Sequence, residues 1–409
     1  MKYRILSKII KNALCTFPAI VLTGPRQSGK TTLLKNLLAK THAYASLENP
    51  DVRMRAKDDP ISFLKQFQKA VILDEIQYVP ELLPYIKTAI DEKRKPGKWV
   101  LTGSQNFVLM QGVGQSLAGR AAILSLLPFS FSEQIDQGNQ ALAVGQVVSK
   151  KFSQDIASHK KTFKLTDFIL RGSFPEIASN KKVNKDLWCS SYITTYLERD
   201  IRNLTQVGDL NQFERFLRLC AIRTGQLLNL SEMAKEIGIT APTAKKWLSL
   251  LETGYQIFLL YPYYRNLGKR LIKSPKLYFN DTALAAYLLG IQDEKTLLDS
   301  PQFGSLFETM IVVDFWKRFL HFGQIPALYY LKTRDGLEVD LVIENKQKLH
   351  LFEIKSSATI TSNHAVSLLK AKKDFGKVVG SLNIVSRAEG SFSVNSQVFN
   401  YNWRELLSR

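Results

Sequence analysis

Gly24-Pro25-Arg26-Gln27-Ser28-Gly29-Lys30-Thr31 is the stretch whose reading decides the fold of this 409-residue chain. It satisfies G-x-x-x-x-G-K-[ST] at every fixed position. The apolar run Ala19-Ile20-Val21-Leu22 precedes it, and a helix-forming segment, Thr32 to Leu38, follows. Strand, glycine loop and helix in that order make the pattern a phosphate site. The glycines let backbone N–H groups close on phosphate oxygens, and the helix start adds partial positive charge. Gly24, Pro25, Arg26, Gln27, Ser28, Gly29, Lys30, Thr31 and Thr32 are the expected contacts to ATP. Lys30 is expected to reach the β- and γ-phosphates, and Thr31 to place its hydroxyl on Mg2+.

Working outward, Ala70-Val71-Ile72-Leu73-Asp74-Glu75 is an apolar run ending in two carboxylates, about 45 residues beyond the loop. A buried parallel strand reads this way, and open α/β sheets place their chemistry at the carboxyl ends of strands. Asp74 is expected to hold the magnesium, directly or through water, and Glu75 to orient and deprotonate the attacking water. A further strand, Trp99 to Thr102, runs into Gly103-Ser104-Gln105-Asn106, whose polar side chains (Ser104 foremost) are candidates for the γ-phosphate or the lytic water. Arg120 sits just before another apolar run, Ala122 to Leu127.

The totals bound the class. The length suggests two to four domains, and 45% hydrophobic with 22% charged residues is ordinary for a globular chain. No apolar run reaches the ~18 residues that span a bilayer. The basic start (Lys2, Arg4, Lys8, Lys11) followed by apolar residues raises a signal peptide; it runs straight into the phosphate loop, so cleavage there would destroy the site. A cytoplasmic protein is expected, with Cys15, Cys189 and Cys220 as reduced thiols without metal-ligand spacing. Lys and Arg number 56 against 36 Asp and Glu, a surplus of +20. Such a balance favours polyanions, DNA or RNA among them, although simple solubility also produces it.

These residues resemble the AAA-type ATPases, and specifically a widespread prokaryotic group. Its members join an ATPase module to a C-terminal domain of unknown function related to the PD-(D/E)xK nuclease fold. The marks are Leu22 to Gln27, Leu73 to Gln77, Leu101 to Ser104, Leu117-Ala118-Gly119-Arg120, Gly172 to Glu176 and Tyr196 to Ile201. In such relatives an arginine placed like Arg120 acts across a subunit boundary on the neighbour's γ-phosphate. The resemblance therefore implies a homo-oligomer with Arg120 as finger; the competing reading pairs Arg120 with a carboxylate of its own subunit. Arg199 and Arg171 are the alternative fingers.

The middle of the chain reads as mostly helices from 131 to 205, a lid. Leu230 to Ile237 opens with a helix-cap signal, Gly238-Ile239 turns the chain, and Thr240 to Leu251 forms a second helix with Trp247, Leu250 and Leu251 inward. This is a helix-turn-helix pattern, with Tyr255 to Tyr261 and Lys276 to Phe279 as strands of a wing. Arg265, Lys269, Arg270, Lys273 and Lys276 form a basic cluster. Contact with nucleic-acid phosphates and a bracing role for the ATPase are both open readings of it.

Near residue 300 a new unit begins. Phe303 to Phe319 reads as a helix bearing Glu308; Ala327 to Leu331, Leu337 to Ile343 and Lys348 to Ile354 read as strands. Asp340 and Glu353 lie nearly equidistant from the short connection at Glu344-Asn345-Lys346-Gln347, so a hairpin makes them cross-strand neighbours. Lys355, two residues beyond Glu353, shares its face. Oxygen ligands beside a lysine suit a metal-dependent phosphodiesterase, with Glu308, Asp340 and Glu353 holding a second divalent metal and Lys355 steadying charge. This matches the PD-(D/E)xK arrangement. The expected fold is α/β: an AAA-type P-loop core (1–130), a helical lid (131–205), a winged-helix-like domain (206–299) and a PD-(D/E)xK-like α/β domain (300–409). The expected activity is Mg2+-dependent ATP hydrolysis controlling the C-terminal domain on nucleic acid. The alternative is a nucleotide-switched regulatory scaffold that binds a protein partner and has a non-catalytic C-terminal domain.

Overall fold

The computed structural model describes residues 2–103, 116–149, 164–196, 210–263 and 274–409. Of the candidate residues above, Ser104, Gln105, Asn106, Arg199, Arg265, Lys269, Arg270 and Lys273 lie outside them. The chain divides into two compact units: Met1–Phe129 with Thr253–Tyr255 and Leu320–Gln324, and the remainder.

The first unit is built on a parallel sheet of β1 (Ala19–Thr23), β2 (His42–Ser46), β3 (Ala70–Asp74), β4 (Trp99–Gly103) and β5 (Ala121–Ser125), in the order β2-β3-β4-β1-β5. All residues of β1 and β4 are buried, as expected of central strands covered on both faces. The two-residue period of the strand decides which face each side chain serves. Ala19 and Val21 join Val71, Leu73, Trp99 and Leu101 in one core layer. Ile20 and Leu22 join Ile72 and Val100 in the other. The second layer also takes Leu6, Ile10 and Ala13, the apolar stripe of helix Leu6–Leu14, and Leu33 and Leu34 from helix Lys30–Leu38. The order inserts β4 between the strand that feeds the glycine loop and the strand that ends in Asp74.

The second unit joins the three regions expected as lid, winged helix and C-terminal domain. Their hydrophobic residues form shared cores: one layer contains Ile169, Phe174, Trp188, Phe213, Trp247, Phe279 and Leu306 together. Another contains Phe131, Phe258, Tyr278 and Phe352. Division into separate domains would expose these faces to water, at about 25 cal/mol per Å2 of apolar surface. Helices Leu210–Ile222, Leu230–Ile237 and Ala241–Thr253 are accompanied by an antiparallel sheet of β6 (Gln226–Leu227), β8 (Lys276–Phe279) and β7 (Ile257–Leu260), with β8 in the middle. Trp247 and Leu251 are buried; Leu250 packs partly buried against them. Helix Phe303–His321 leads to a sheet in the order β13-β14-β12-β11-β10-β9. Its members are β9 (Leu328–Lys332), β10 (Glu338–Asn345), β11 (Lys348–Lys355), β12 (Val379–Ser386), β13 (Phe392–Ser393) and β14 (Val398–Asn402). Strands β10 and β11 form the hairpin expected from sequence, turning through Lys346 and Gln347 at φ 49° and 62°. Among the described residues, no helix is long and apolar enough to cross a membrane.

Candidate active site

At the end of β1 the chain enters the glycine loop with Gly24 at φ 144°. A Cβ there would lie 2.1 Å from the Leu126 carbonyl oxygen, so only glycine fits. Gln27 (φ 58°) and Gly29 (φ 92°) occupy left-handed conformations that fold the loop over. Helix Lys30–Leu38 then begins directly. Lys30 is buried, and its ammonium donates to the Gly24 and Pro25 carbonyls at 2.9 Å each, placing a positive charge across the mouth of the loop. Ser28 Oγ is buried without a hydrogen-bond partner among the described residues, an acceptor or donor kept inside the loop. Arg4 fastens the loop from behind, donating to the Ser28 carbonyl at 2.9 Å and the Leu127 carbonyl at 2.5 Å. Sequence reading counted Arg4 only as part of a basic terminus.

Asp74 ends β3 beside this loop. Thr31 Oγ1 donates to Asp74 Oδ2 at 2.9 Å, and the Tyr44 hydroxyl donates to the same oxygen at 2.6 Å. Thr102, at the end of β4, donates to Asp74 Oδ1 and accepts from the Glu75 backbone N–H at 3.1 Å. Burial, then the hydrogen bond to Asp74 and its charge, hold the Tyr44 phenol above its usual range, so it stays a donor. Tyr44 carries no local signal, and Thr102 was read only as a strand end and part of the resemblance; adjacent strands bring both onto Asp74. Glu75 sits half-buried at φ 59° with its carboxylate accepting from Gln77. A hydroxyl and a carboxylate oxygen within hydrogen-bond distance, both hard donors, fit Mg2+. Thr32 lies exposed and Arg26 half-buried on the same segment.

Arg120 does not stand free. Its guanidinium forms a two-pronged pair with Asp91, Nε to Oδ1 at 2.6 Å and Nη2 to Oδ2 at 2.9 Å, which holds the Asp91 carboxyl below its usual range. This is the arrangement of the competing reading given above. Arg171 donates to the Ile177, Asn180 and Val183 carbonyls within the second unit.

The C-terminal carboxylates do converge. Extending the β10–β11 register, in which Leu341 faces Phe352, by one residue sets Asp340 opposite Glu353. Asp340 Oδ2 accepts from the Ile354 backbone N–H at 2.8 Å. Lys355 pairs with Glu353 at 2.6 Å, while Glu353 Oε2 is buried without a hydrogen-bond partner among the described residues.

Lys276 requires a correction. Counted in the basic cluster as a candidate contact to nucleic acid, it is buried on β8, the middle strand of its sheet, with 4% side-chain exposure. Its ammonium lies 3.0 Å from Glu338, 3.4 Å from Glu308 and 3.7 Å from Asp340. Burial alone would lower its pKa, but these carboxylates outweigh that and hold it raised. Tyr278, two residues on along β8, donates to Glu308. Burial, then the Asp340 charge, pushes Glu308 and Glu353 up to about 7. Lys276, Lys332 and Lys355 thus meet Glu308, Glu338, Asp340 and Glu353 with the charges nearly balanced. The set does not fit a second divalent metal, because an ammonium already lies among the expected ligands. No group of three or more His, Cys, Asp or Glu among the described residues is arranged to hold a metal.

Residues 16–135 match the family model described as an AAA domain. Residues 162–295 and 303–405 match two domains of unknown function, DUF8612 and DUF4143. The chain is 30% identical over 353 residues to the uncharacterized protein Rv2008c of Mycobacterium tuberculosis, covering 86% of this chain and 73% of that one. The same figures hold for the uncharacterized protein Mb2031c of Mycobacterium bovis. This chain belongs to the family of these two proteins. Its residues 16–135 form an AAA-type P-loop ATPase domain, and residues 303–405 a DUF4143 domain. Among solved structures, the Walker-type ATPase PABY2304 of Pyrococcus abyssi is 16% identical with a TM-score of 0.44, covering 69% of this chain and 94% of that one. The Thermotoga maritima RuvB Holliday junction branch migration motor is 17% identical with a TM-score of 0.30, covering 62% and 88%.

Proposed function

We propose that this family member is a Mg2+-dependent ATP hydrolase whose turnover controls the conformation of its second unit. The observation that carries the proposal is the hydrogen bond from Thr31 to Asp74, beside a glycine loop with Lys30 across its mouth. Lys30 exchanges the Gly24 and Pro25 carbonyls for β- and γ-phosphate oxygens. The loop's N–H groups and the start of helix Lys30–Leu38 bind the same phosphates. Thr31 and Asp74 hold Mg2+, which neutralises developing phosphate charge. Glu75 orients the attacking water and takes its proton, with Gln77 fixing the carboxylate. Release of Arg120 from Asp91 frees a guanidinium for a neighbouring subunit's γ-phosphate in a homo-oligomer.

The helices and three-stranded sheet of residues 210–279 are read as a winged helix. Its second helix, Ala241–Thr253, exposes Lys245 and Lys246, which with the +20 surplus supports DNA or RNA as the polymer sensed. The 303–409 region is read as PD-(D/E)xK-like. Lys276 among its carboxylates favours a non-catalytic C-terminal domain, the feature of the alternative in which a nucleotide-switched scaffold binds a protein partner. Assays of ATP turnover with and without DNA and RNA, with gel analysis of those polymers, test both points. No ATP turnover under any condition sinks the hydrolase reading. Metal-dependent cleavage abolished by Asp340→Ala sinks the non-cleaving one.

A further inference from the structure

The ATPase unit is completed by residues from far along the chain, and one of them stands directly under the phosphate loop. Thr253–Tyr255 belongs to that unit. The Tyr255 hydroxyl lies 2.8 Å from Thr23 Oγ1 and 3.2 Å from Ser125 Oγ, and those two oxygens are 3.2 Å from each other. Thr23 and Ser125 are register partners at the ends of β1 and β5. Three hydroxyls therefore close a triangle where the loop leaves the sheet. Thr23 is the residue before Gly24, and its carbonyl accepts from the Leu126 N–H at 2.8 Å. The Leu126 carbonyl in turn leaves Gly24 no room for a side chain. Any shift at Thr23 is passed straight into the loop.

Two features separate this contact from ordinary packing. Tyr255 holds φ at 57°, a conformation that bulky residues rarely adopt and that persists where the surroundings enforce it. Its ring is buried, so phenylalanine would fill the same volume; only the hydroxyl needs Thr23 and Ser125. Burial also keeps the phenol protonated, and so able to donate.

We propose that Tyr255 is a positioning residue for ATP turnover. Its hydroxyl fixes Thr23, and through Thr23 the path of Gly24 and the phosphate-binding N–H groups beyond it. This rests on the ATPase reading above. It also makes the segment following helix Ala241–Thr253 part of what sets the loop's geometry.

The test compares wild type, Tyr255→Phe, Thr23→Val, their double variant and Thr23→Ser, all in the full chain. Turnover and the affinity for a fluorescent ATP analogue are measured beside thermal midpoints. Tyr255→Phe is expected to lower kcat/KM by roughly tenfold, the scale of a small misplacement of a reacting group, with the midpoint near that of wild type. Thr23→Val is expected to do the same, the double variant no worse than either, and Thr23→Ser to retain activity. Wild-type kinetics in Tyr255→Phe, or losses that multiply in the double variant, overturn the proposal. A wild type that binds the analogue without hydrolysing it sinks only the hydrolase reading, and the affinity ratio between wild type and Tyr255→Phe then decides. A wild type that does neither overturns both.

Discussion

Thr31 Oγ1 donates to Asp74 Oδ2 across 2.9 Å, joining the first turn of the phosphate-loop helix to the end of β3. One residue earlier, Lys30 bridges two carbonyls of its own loop. Lys30→Ala removes the cation at the mouth of the loop. Affinity for a fluorescent ATP analogue is expected to collapse, and Asp74→Asn is expected to cost turnover ~100-fold or more, the scale seen when one transition-state-stabilising group is lost. Unchanged binding in Lys30→Ala refutes the assignment.

Gly24→Ala tests the loop without removing a charge. The added carbon would meet the Leu126 carbonyl at 2.1 Å, a backbone atom with no easy retreat. Nucleotide affinity is expected to fall along with the thermal midpoint. A variant that binds ATP like wild type would mean that the close approach of loop and β5 is not required.

Lys276→Met leaves Glu308, Glu338 and Asp340 facing one another without their shared cation. Breaking a buried pair in this way costs about 3–5 kcal/mol, read from denaturant unfolding. The freed carboxylates should also gain a Mn2+ site, visible by electron paramagnetic resonance and expected to be missing from wild type. Tight Mn2+ binding by wild type that Asp340→Ala removes would reverse this account of the cluster.

Arg120 and Asp91 form an exposed pair, so Arg120→Ala should leave melting nearly unchanged. If Arg120 serves a neighbouring subunit, turnover falls at protein concentrations where the oligomer forms, while ATP affinity holds. Equal turnover in wild type and variant at all concentrations would assign the arginine to its Asp91 pair alone.

Burial lowers the pKa of His42 and His350 below the ordinary 6.5. His350 Nδ1 lies 2.9 Å from Ser381 Oγ, and His42 Nε2 lies 2.9 Å from the Gly97 carbonyl. A depressed folded-state value means that the unfolded chain binds more protons. The contribution to stability is therefore complete above 6.5 and is lost as the pH falls through the folded-state value. The two histidines thus pull the denaturant midpoint down on acidification below 6.5, against Glu308 and Glu353, whose raised values make protonation stabilising in the same window. His350→Gln should hold the low-pH midpoint higher, relative to its own neutral value, than wild type does. A variant with the wild-type slope would remove His350 from the explanation.

The strands and helices were legible wherever a period or a turn signal was local. The β10–β11 hairpin, its turn and the facing of Asp340 and Glu353 came from counting residues to a connection. Helices 230–237 and 241–253 came from one apolar face and a Gly238 turn. Partners brought by neighbouring strands were not legible: Tyr44 and Thr102 on Asp74, Asp91 on Arg120, and Tyr255 under Thr23. The packing that joins these regions was not legible for a similar reason, because Phe174, Trp247 and Leu306 share one core that no composition shift along the chain announces.

By itself, the sequence determined the phosphate loop and its acidic strand, because contiguous residues with fixed backbone requirements carry that chemistry. Only the tertiary structure decided the state of the C-terminal carboxylates. Lys276 lies 32 residues before Glu308, and nothing in the intervening chain records that β8 will carry an ammonium into their midst. Charge neutralisation depends on distance in space, and folding alone sets that distance.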